Sequence, residues 1–398
     1  MICKITNKRI RPFMSFGKMP IANGFLKKKN FKNEFIFKME VGFSKDISLF
    51  QLNDHPKPSL MFNKNYPFFT SSSKYMVNHF KDYANWIKRK YFRNVRNIIE
   101  IGSNDGTFLK NFKSNKTNIL GIEPSRNVAL IAKRKKINTI NKFFTLNTAN
   151  RLKKFKNKTD LICAANAICH IPNLKNLILG IDKLLSKKGV FIFEEPYLGS
   201  MYEKTSYDQI YDEHIFMFSV SSIKKIFNLY NFELIDVKKQ KTHGGSMRYV
   251  IARKGEYKIK NTVISNIIFE KKRNIDNLKG CMSFKKKCEK SKNRLRNKIF
   301  AIKKKNKSIA GYAATSKSTT ILNYCGIDNK HIDFICDTTN DKIGKFTPKT
   351  HIPIVNVDYF RKNIPDFTFL FAWNHKDEIF TKEKKILKKT KWFAHVSI

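Results

Sequence analysis

The stretch IIEIGSNDGTFL, residues 98–109, constrains this chain more than any other. Ile98, Ile99 and Ile101 read as the apolar end of a buried strand. Residues 102–106 read as a tight loop, and Thr107, Phe108 and Leu109 as the opening of a helix. A strand, a glycine-bearing turn and a helix N-terminus together form a nucleotide-type binding corner of an α/β fold. The glycines stand at Gly102 and Gly106, with Asn104 between them. Glu100 precedes the loop and Asp105 lies inside it. Such carboxylates repel a pyrophosphate and attract a ligand that carries an amine and a sulfonium. S-adenosylmethionine (SAM) is such a ligand.

A bare Gly-x-x-x-Gly also fits an ordinary strand-to-helix turn. The run ILGIE, residues 119–123, tilts the balance toward the cofactor. It places Glu123 about 20 residues beyond the loop, the offset at which a carboxylate accepts the two ribose hydroxyls of an adenosine. A solvated strand-end Glu is the plainer alternative.

From residue 97 to about 254, strand patterns (98–101, 119–122, 160–165, 190–194) alternate with helical ones. Alternation of this kind predicts a largely parallel sheet covered by helices, with ligands at the carboxyl ends of the strands. Gly102, Glu123, Asn166 and Glu195 fall there. Residues 1–70 read as a small, strand-poor module, 71–255 as the cofactor domain, 256–305 as a helical connector, and 306–398 as a second, smaller Rossmann-like unit.

The 398 residues include 79 Lys+Arg against 31 Asp+Glu, a formal charge of +48. That excess invites a nucleic-acid reading. The basic residues, however, are mostly Lys and scattered through nearly every segment, as a proteome-wide compositional drift would leave them. No RGG tract, zinc knuckle or RNP-type aromatic motif accompanies them. The seven cysteines show no CxxC pair or regular spacing. With no signal-peptide core and no run of roughly 20 apolar residues, the reading is a cytoplasmic protein without a membrane span.

Four further stretches concentrate chemistry. YDQIYDEHIFMF, residues 207–218, brings together Tyr211, Glu213 and His214: a proton acceptor near neutral pH, a carboxylate able to orient it, and a donor for a developing oxyanion. An aromatic-rich helix with an inert His214 is the alternative. THGGSMR, 242–248, sets His243 before paired glycines and adds Arg248, suited to a carboxylate or phosphate; a bulge or hairpin turn explains it equally. ANAICHIP, 165–172, offers Asn166 and His170 to the cofactor, or is a plain loop. AATSKSTT, 313–320, opens a helix at Lys317, where a diphosphate can be held; a solvated lysine is the simpler reading.

These stretches, in this order, resemble the sugar C-methyltransferases that act on nucleotide-linked 4-keto-deoxysugars. GKMPIANGFL (17–26), GYAATSKSTTILNYCGI (311–327), FTPKTHIPI (346–354) and the AWN around Trp373 extend the resemblance over nearly the whole chain. It implies a small zinc module, a class I methyltransferase Rossmann-like domain that binds SAM, and a C-terminal Rossmann-like domain, with a small nucleotide-sugar substrate in the cleft between the last two. The family's zinc module is held by two Cys-x-x-Cys pairs. Here Cys3 stands with Thr6, Ser44 and Ile47, so zinc is not expected. The resemblance implies proton abstraction next to a ketone by His214, held by Glu213, with Tyr211 stabilising the enolate. Glu100, Gly102, Asn104, Gly106, Glu123 and Asn166 would hold SAM, Arg248 and Lys317 the nucleotide diphosphate, and His243 would join them in binding the substrate, with no catalytic metal. The rivals are a methyltransferase acting on RNA or another polyanion, and a non-catalytic SAM-binding protein.

Overall fold

The computed structural model describes residues 1–64, 66–92 and 95–398, which form three sheets. The first is built by β1 (Pro12–Pro20), β2 (Ile36–Ser44) and β3 (Leu49–Leu52), all antiparallel. The N-terminal segment is therefore not strand-poor as its composition suggests. The register of β1 against β2 shifts between Pro12 and Met14 and again between Ser15 and Gly17. Each shift breaks the period-2 alternation that marks a strand in sequence.

The second sheet carries β4 (Asn97–Ile101), β5 (Asn118–Ile122), β6 (Thr139–Ile140), β7 (Thr159–Ala165) and β8 (Leu185–Pro196). A short β9 (Phe216–Met217) leaves this run and pairs instead with β3, closing the N-terminal sheet. Two more strands, β10 (Phe232–Gln240) and β11 (Ser246–Arg253), complete the second sheet in the order β10-β11-β8-β7-β4-β5-β6. Only β11 runs against the others. That order, with one antiparallel strand next to the edge, is the class I methyltransferase arrangement that the resemblance implied. Ile98, Ile99 and Ile101 are all buried, as a strand covered on both faces requires. Residues 107–109 do not open a long helix; turns lead into a 3-10 segment, Leu109–Phe112.

The helices Asn261–Lys272 and Leu278–Lys304 then lead to the third sheet. It contains β12 (Ile309–Tyr312), β13 (Phe334–Asp337), β14 (Ile354–Asn356), β15 (Phe367–Leu370) and β16 (Lys391–Phe393), all parallel, in the order β14-β13-β12-β15-β16. The 27-residue helix Leu278–Lys304 starts at an Asn277 cap and buries Cys281, Phe284, Cys288, Leu295, Ile299 and Ile302 along one face. That face belongs to an apolar cluster reaching from Phe13, Phe16 and Phe43 of the first sheet to Ile309 and Ile335 of the third. Phe35, just before β2, lies outside that cluster and is 47% exposed. No helix among the described residues is long and apolar enough to cross a membrane.

Candidate active site

The loop after β4 is a tight cradle. Gly102 has φ +70°, and a Cβ there would lie 2.7 Å from the Cβ of Ala167. Gly106 has φ +76°, and its Cβ would meet Ile137 at 2.9 Å. Both positions therefore need glycine. Glu123 ends β5 and caps this loop. Its Oε2 accepts the Asn104 backbone N–H at 2.9 Å, and its Oε1 accepts that of Ser125 at 2.7 Å. Asn104 itself points elsewhere. Its Oδ1 accepts the Thr70 backbone N–H at 2.9 Å and its Nδ2 donates to the Phe68 carbonyl at 3.1 Å. Its side chain ties the segment before the helix Lys74–Lys90 to the loop, and is not free for a ligand. Asp105 is also used internally. Burial alone would raise its carboxyl, but donors from Ser71, Thr107 and Lys135 lower it.

The carboxyl ends of the strands hold buried acceptors without partners: Glu100 Oε2, Asn166 Oδ1 and Glu195 Oε2. Burial and repulsion from Glu123 and Asp105 push the Glu100 carboxyl well up. Glu195 ends β8 and accepts the backbone N–H groups of Ala167 and Ile168 through Oε1, at 3.0 and 2.7 Å. Burial raises it to about 7. Unmatched buried acceptors around a glycine cradle suit a ligand that brings donors and positive charge. These residues fit SAM.

The segment 207–218 is not one helix: a 3-10 turn, Tyr207–Gln209, leads through a loop into β9. His214 is buried, with both ring nitrogens engaged. Nδ1 lies 2.7 Å from the Gln209 carbonyl, and Nε2 lies 2.8 Å from the Tyr211 hydroxyl. A carbonyl can only accept, so Nδ1 carries the hydrogen and Nε2 presents its lone pair to Tyr211 O–H. Burial, then nearby His170, pushes the imidazole well below its ordinary value and keeps it neutral. The orienting group is therefore Gln209, which the sequence did not single out. Glu213 does not hold His214; its Oε1 accepts Asn23 Nδ2 at 2.7 Å. Cys169, His170 and His214 place one donor atom each within 4.8 Å of one another. Both nitrogens of His214 are already bonded within the protein, so the trio does not offer three free donors to a metal.

Cations gather where the third sheet meets the second. Lys317 begins the helix Ser316–Cys325, is 8% exposed, and donates to Asn374 Oδ1 at 2.9 Å. Burial brings it down to about 8. His243 stands nearby at φ +52° with a buried, unpartnered Nε2. Burial and the Lys317 charge lower it to about 3. Lys204 donates to the Gly244 carbonyl. Asp208 accepts Trp373 Nε1 at 2.7 Å and meets His395 Nε2 at 3.1 Å, fixing the 207–214 segment to the third sheet's unit.

Arg248 is not part of this group. It is 2% exposed, bonds Glu194 Oε2 through Nε and Nη2 at 3.2 and 2.8 Å, and lies 3.5 Å over the Tyr83 ring. A guanidinium so engaged is unavailable to a diphosphate. His79 and Thr242 complete the shell of Glu194. Nothing local in the sequence linked Arg248 to Glu194, 54 residues earlier.

The N-terminal module carries one cysteine, Cys3. The Thr6 backbone N–H points at Cys3 Sγ at 3.5 Å, and Ser48 sits at φ +50° after Ile47. Cys3 and Ile47 are both buried in one apolar cluster. One thiol beside an isoleucine does not fit zinc.

Three family descriptions match the chain. A zinc binding domain matches residues 2–62, a methyltransferase domain 74–237, and a C-methyltransferase C-terminal domain 241–396. A curated relative, C-methyltransferase NovU of Streptomyces niveus, is 26% identical over 377 residues, covering 94% of this chain and 90% of the relative. Among solved structures, the PH0226 protein of Pyrococcus horikoshii is 14% identical with a TM-score of 0.39, over 48% of this chain and 97% of that one. A SAM-dependent methyltransferase of Clostridium acetobutylicum is 15% identical with a TM-score of 0.36, over 44% and 92%.

Proposed function

The chain belongs to the SAM-dependent C-methyltransferases, and from that premise we propose that it methylates a carbon adjacent to the ketone of a nucleotide-linked deoxysugar in the cytoplasm. The observation that carries this reading is the Tyr211–His214 pair, set with a neutral imidazole between the acceptors of the second sheet and the cations beside the third. A carbon next to a ketone is inert until a proton leaves it. His214 Nε2 is the proton acceptor, its tautomer fixed by the Gln209 carbonyl. The Tyr211 hydroxyl that rests on Nε2 moves to the ketone oxygen, freeing the lone pair and donating to the enolate. Positioning and proton transfer by these residues need no catalytic metal.

Glu100, Gly102, Gly106, Glu123 and Asn166 hold SAM, with Glu195 added to the set. SAM supplies an electrophilic methyl group on a sulfonium. Asn104 contributes its backbone N–H to the cap of the loop. Lys317 and Lys204 bring positive charge to the nucleotide diphosphate, and neutral His243 offers it an unpartnered Nε2. In this division of labour the 71–255 unit binds SAM, and its Lys204 and His243 join Lys317 of the 306–398 unit at the nucleotide.

The test is incubation with labelled SAM and a panel of 4-keto-deoxysugar nucleotides, read by mass spectrometry. One acceptor of the panel gains a methyl group, and its α-hydrogen exchanges with deuterated water. His214→Ala loses on the order of 10²-fold or more in both rates, with SAM affinity nearly intact. A wild-type rate in that variant removes His214 from the role, and salt-sensitive methylation of RNA instead would replace the acceptor.

A further inference from the structure

The motif GKMPIANGFL remains without a role in the reaction above, yet it reaches the site. Its Ala22–Asn23 turn touches the loop that carries the base. The Ala22 backbone N–H donates to Asp212 Oδ1 at 2.9 Å, and Asn23 Nδ2 donates to Glu213 Oε1 at 2.7 Å. On its other side, the Ala22 carbonyl accepts Thr319 Oγ1 at 2.8 Å, and Leu26 pairs with Phe346. The turn is thus bracketed between the base loop and the C-terminal unit.

We propose that Asn23 is a positioning residue for methyl transfer: its amide holds Glu213, and through the short turn 211–214 it holds the Tyr211–His214 pair in working geometry. The inference rests on the reading of His214 as the base. Asp212 and Glu213 are adjacent carboxyls, 1% and 4% exposed. Burial pushes both up, and repulsion from Glu213 adds to the rise at Asp212. Tyr66, Tyr211 and Cys169 also face Glu213, and none of them brings positive charge. The donors that reach the two carboxyls from outside the loop come from the Ala22–Asn23 turn. An amide suits this place because it gives N–H to a carboxyl without adding charge. The N-terminal module is then a working part of the active site and not an appendage.

Three variants test this in the full chain. Asn23→Asp keeps the shape but removes the donor and adds a like charge; Asn23→Ser shortens the side chain without adding charge. Each is assayed for methyl transfer, for α-hydrogen exchange and for SAM affinity. The expected result for Asn23→Asp is a loss of about 10²-fold in both rates, with SAM affinity within about twofold. Asn23→Gln, which retains an amide donor, recovers a large part of that loss. A packing role alone would tolerate the isosteric Asp, so a wild-type rate there overturns the proposal. If Asn23→Asp does not fold, a wild-type rate in Asn23→Ser overturns it instead. Wild-type transfer together with a dead His214→Ala and an active Asn23→Asp defeats only the role of Asn23. Failure of the wild type on the whole panel defeats the acceptor reading as well.

Discussion

Glu194 and Glu195 are neighbours at the end of β8 with opposite electrostatics. Burial would raise the Glu194 carboxyl, but His79, Arg248 and Thr242 bring it down to about 2. It therefore adds stability above its ordinary value of 4.5, lost as pH falls toward 2. Glu195 has backbone donors but no cation, and burial raises it to about 7. Its charge is disfavoured in the folded state, so the cost is absent below about pH 4.5 and fully present above pH 7. Glu195→Gln keeps a carbonyl for Ala167 and Ile168 while removing that charge. It should gain roughly 1–3 kcal/mol at pH 8 and little at pH 4.5, measured by urea unfolding at both values. Equal gains at the two pH values would show that the Glu195 carboxyl is not raised in the folded protein. Its place at the carboxyl end of a predicted strand was the sequence signal for Glu195. Arg248 was legible as a buried-type guanidinium only after Glu194, Tyr83 and Trp86 were seen around it.

At the scale of elements, the N-terminal sheet answers for itself without metal donors. Phe13 and Phe50 meet edge to face at 5.1 Å, and Phe16 packs on Tyr324 at 4.7 Å. Aromatic pairs of this kind each add about 0.5–1.5 kcal/mol beyond burial. We expect purified protein to carry no stoichiometric zinc by elemental analysis, and its melting temperature to be unmoved by EDTA. A 1:1 zinc content lost with a drop in melting temperature would show that Cys3 has partners other than those described. The strands of the second sheet were readable because apolar runs such as ILGI and LICAA are local. β1 was hidden by its register shifts, and β9 because its partner β3 lies more than 160 residues away.

Across the whole molecule, the apolar cluster around the helix Leu278–Lys304 joins the first sheet to the third. Phe284 is its hinge point: it stacks on Tyr202 at 4.6 Å and meets Phe50 at 6.4 Å. Phe284→Ala should cost about 3–5 kcal/mol and shift the unfolding of the N-terminal sheet and of the C-terminal unit together, seen by tryptophan fluorescence and by hydrogen exchange. Two separated transitions would show that the cluster does not couple them. The sequence by itself determined the glycine cradle and the strand-end carboxylates, because each depends on residues a few places apart and on backbone conformations only certain residues adopt. The tertiary structure alone decided which polar groups were already engaged. Asn104 went to Thr70, Arg248 to Glu194, and Glu213 to Asn23, 190 residues away. A buried donor or acceptor must find a partner wherever the chain brings one, and no local pattern in the sequence records where that is.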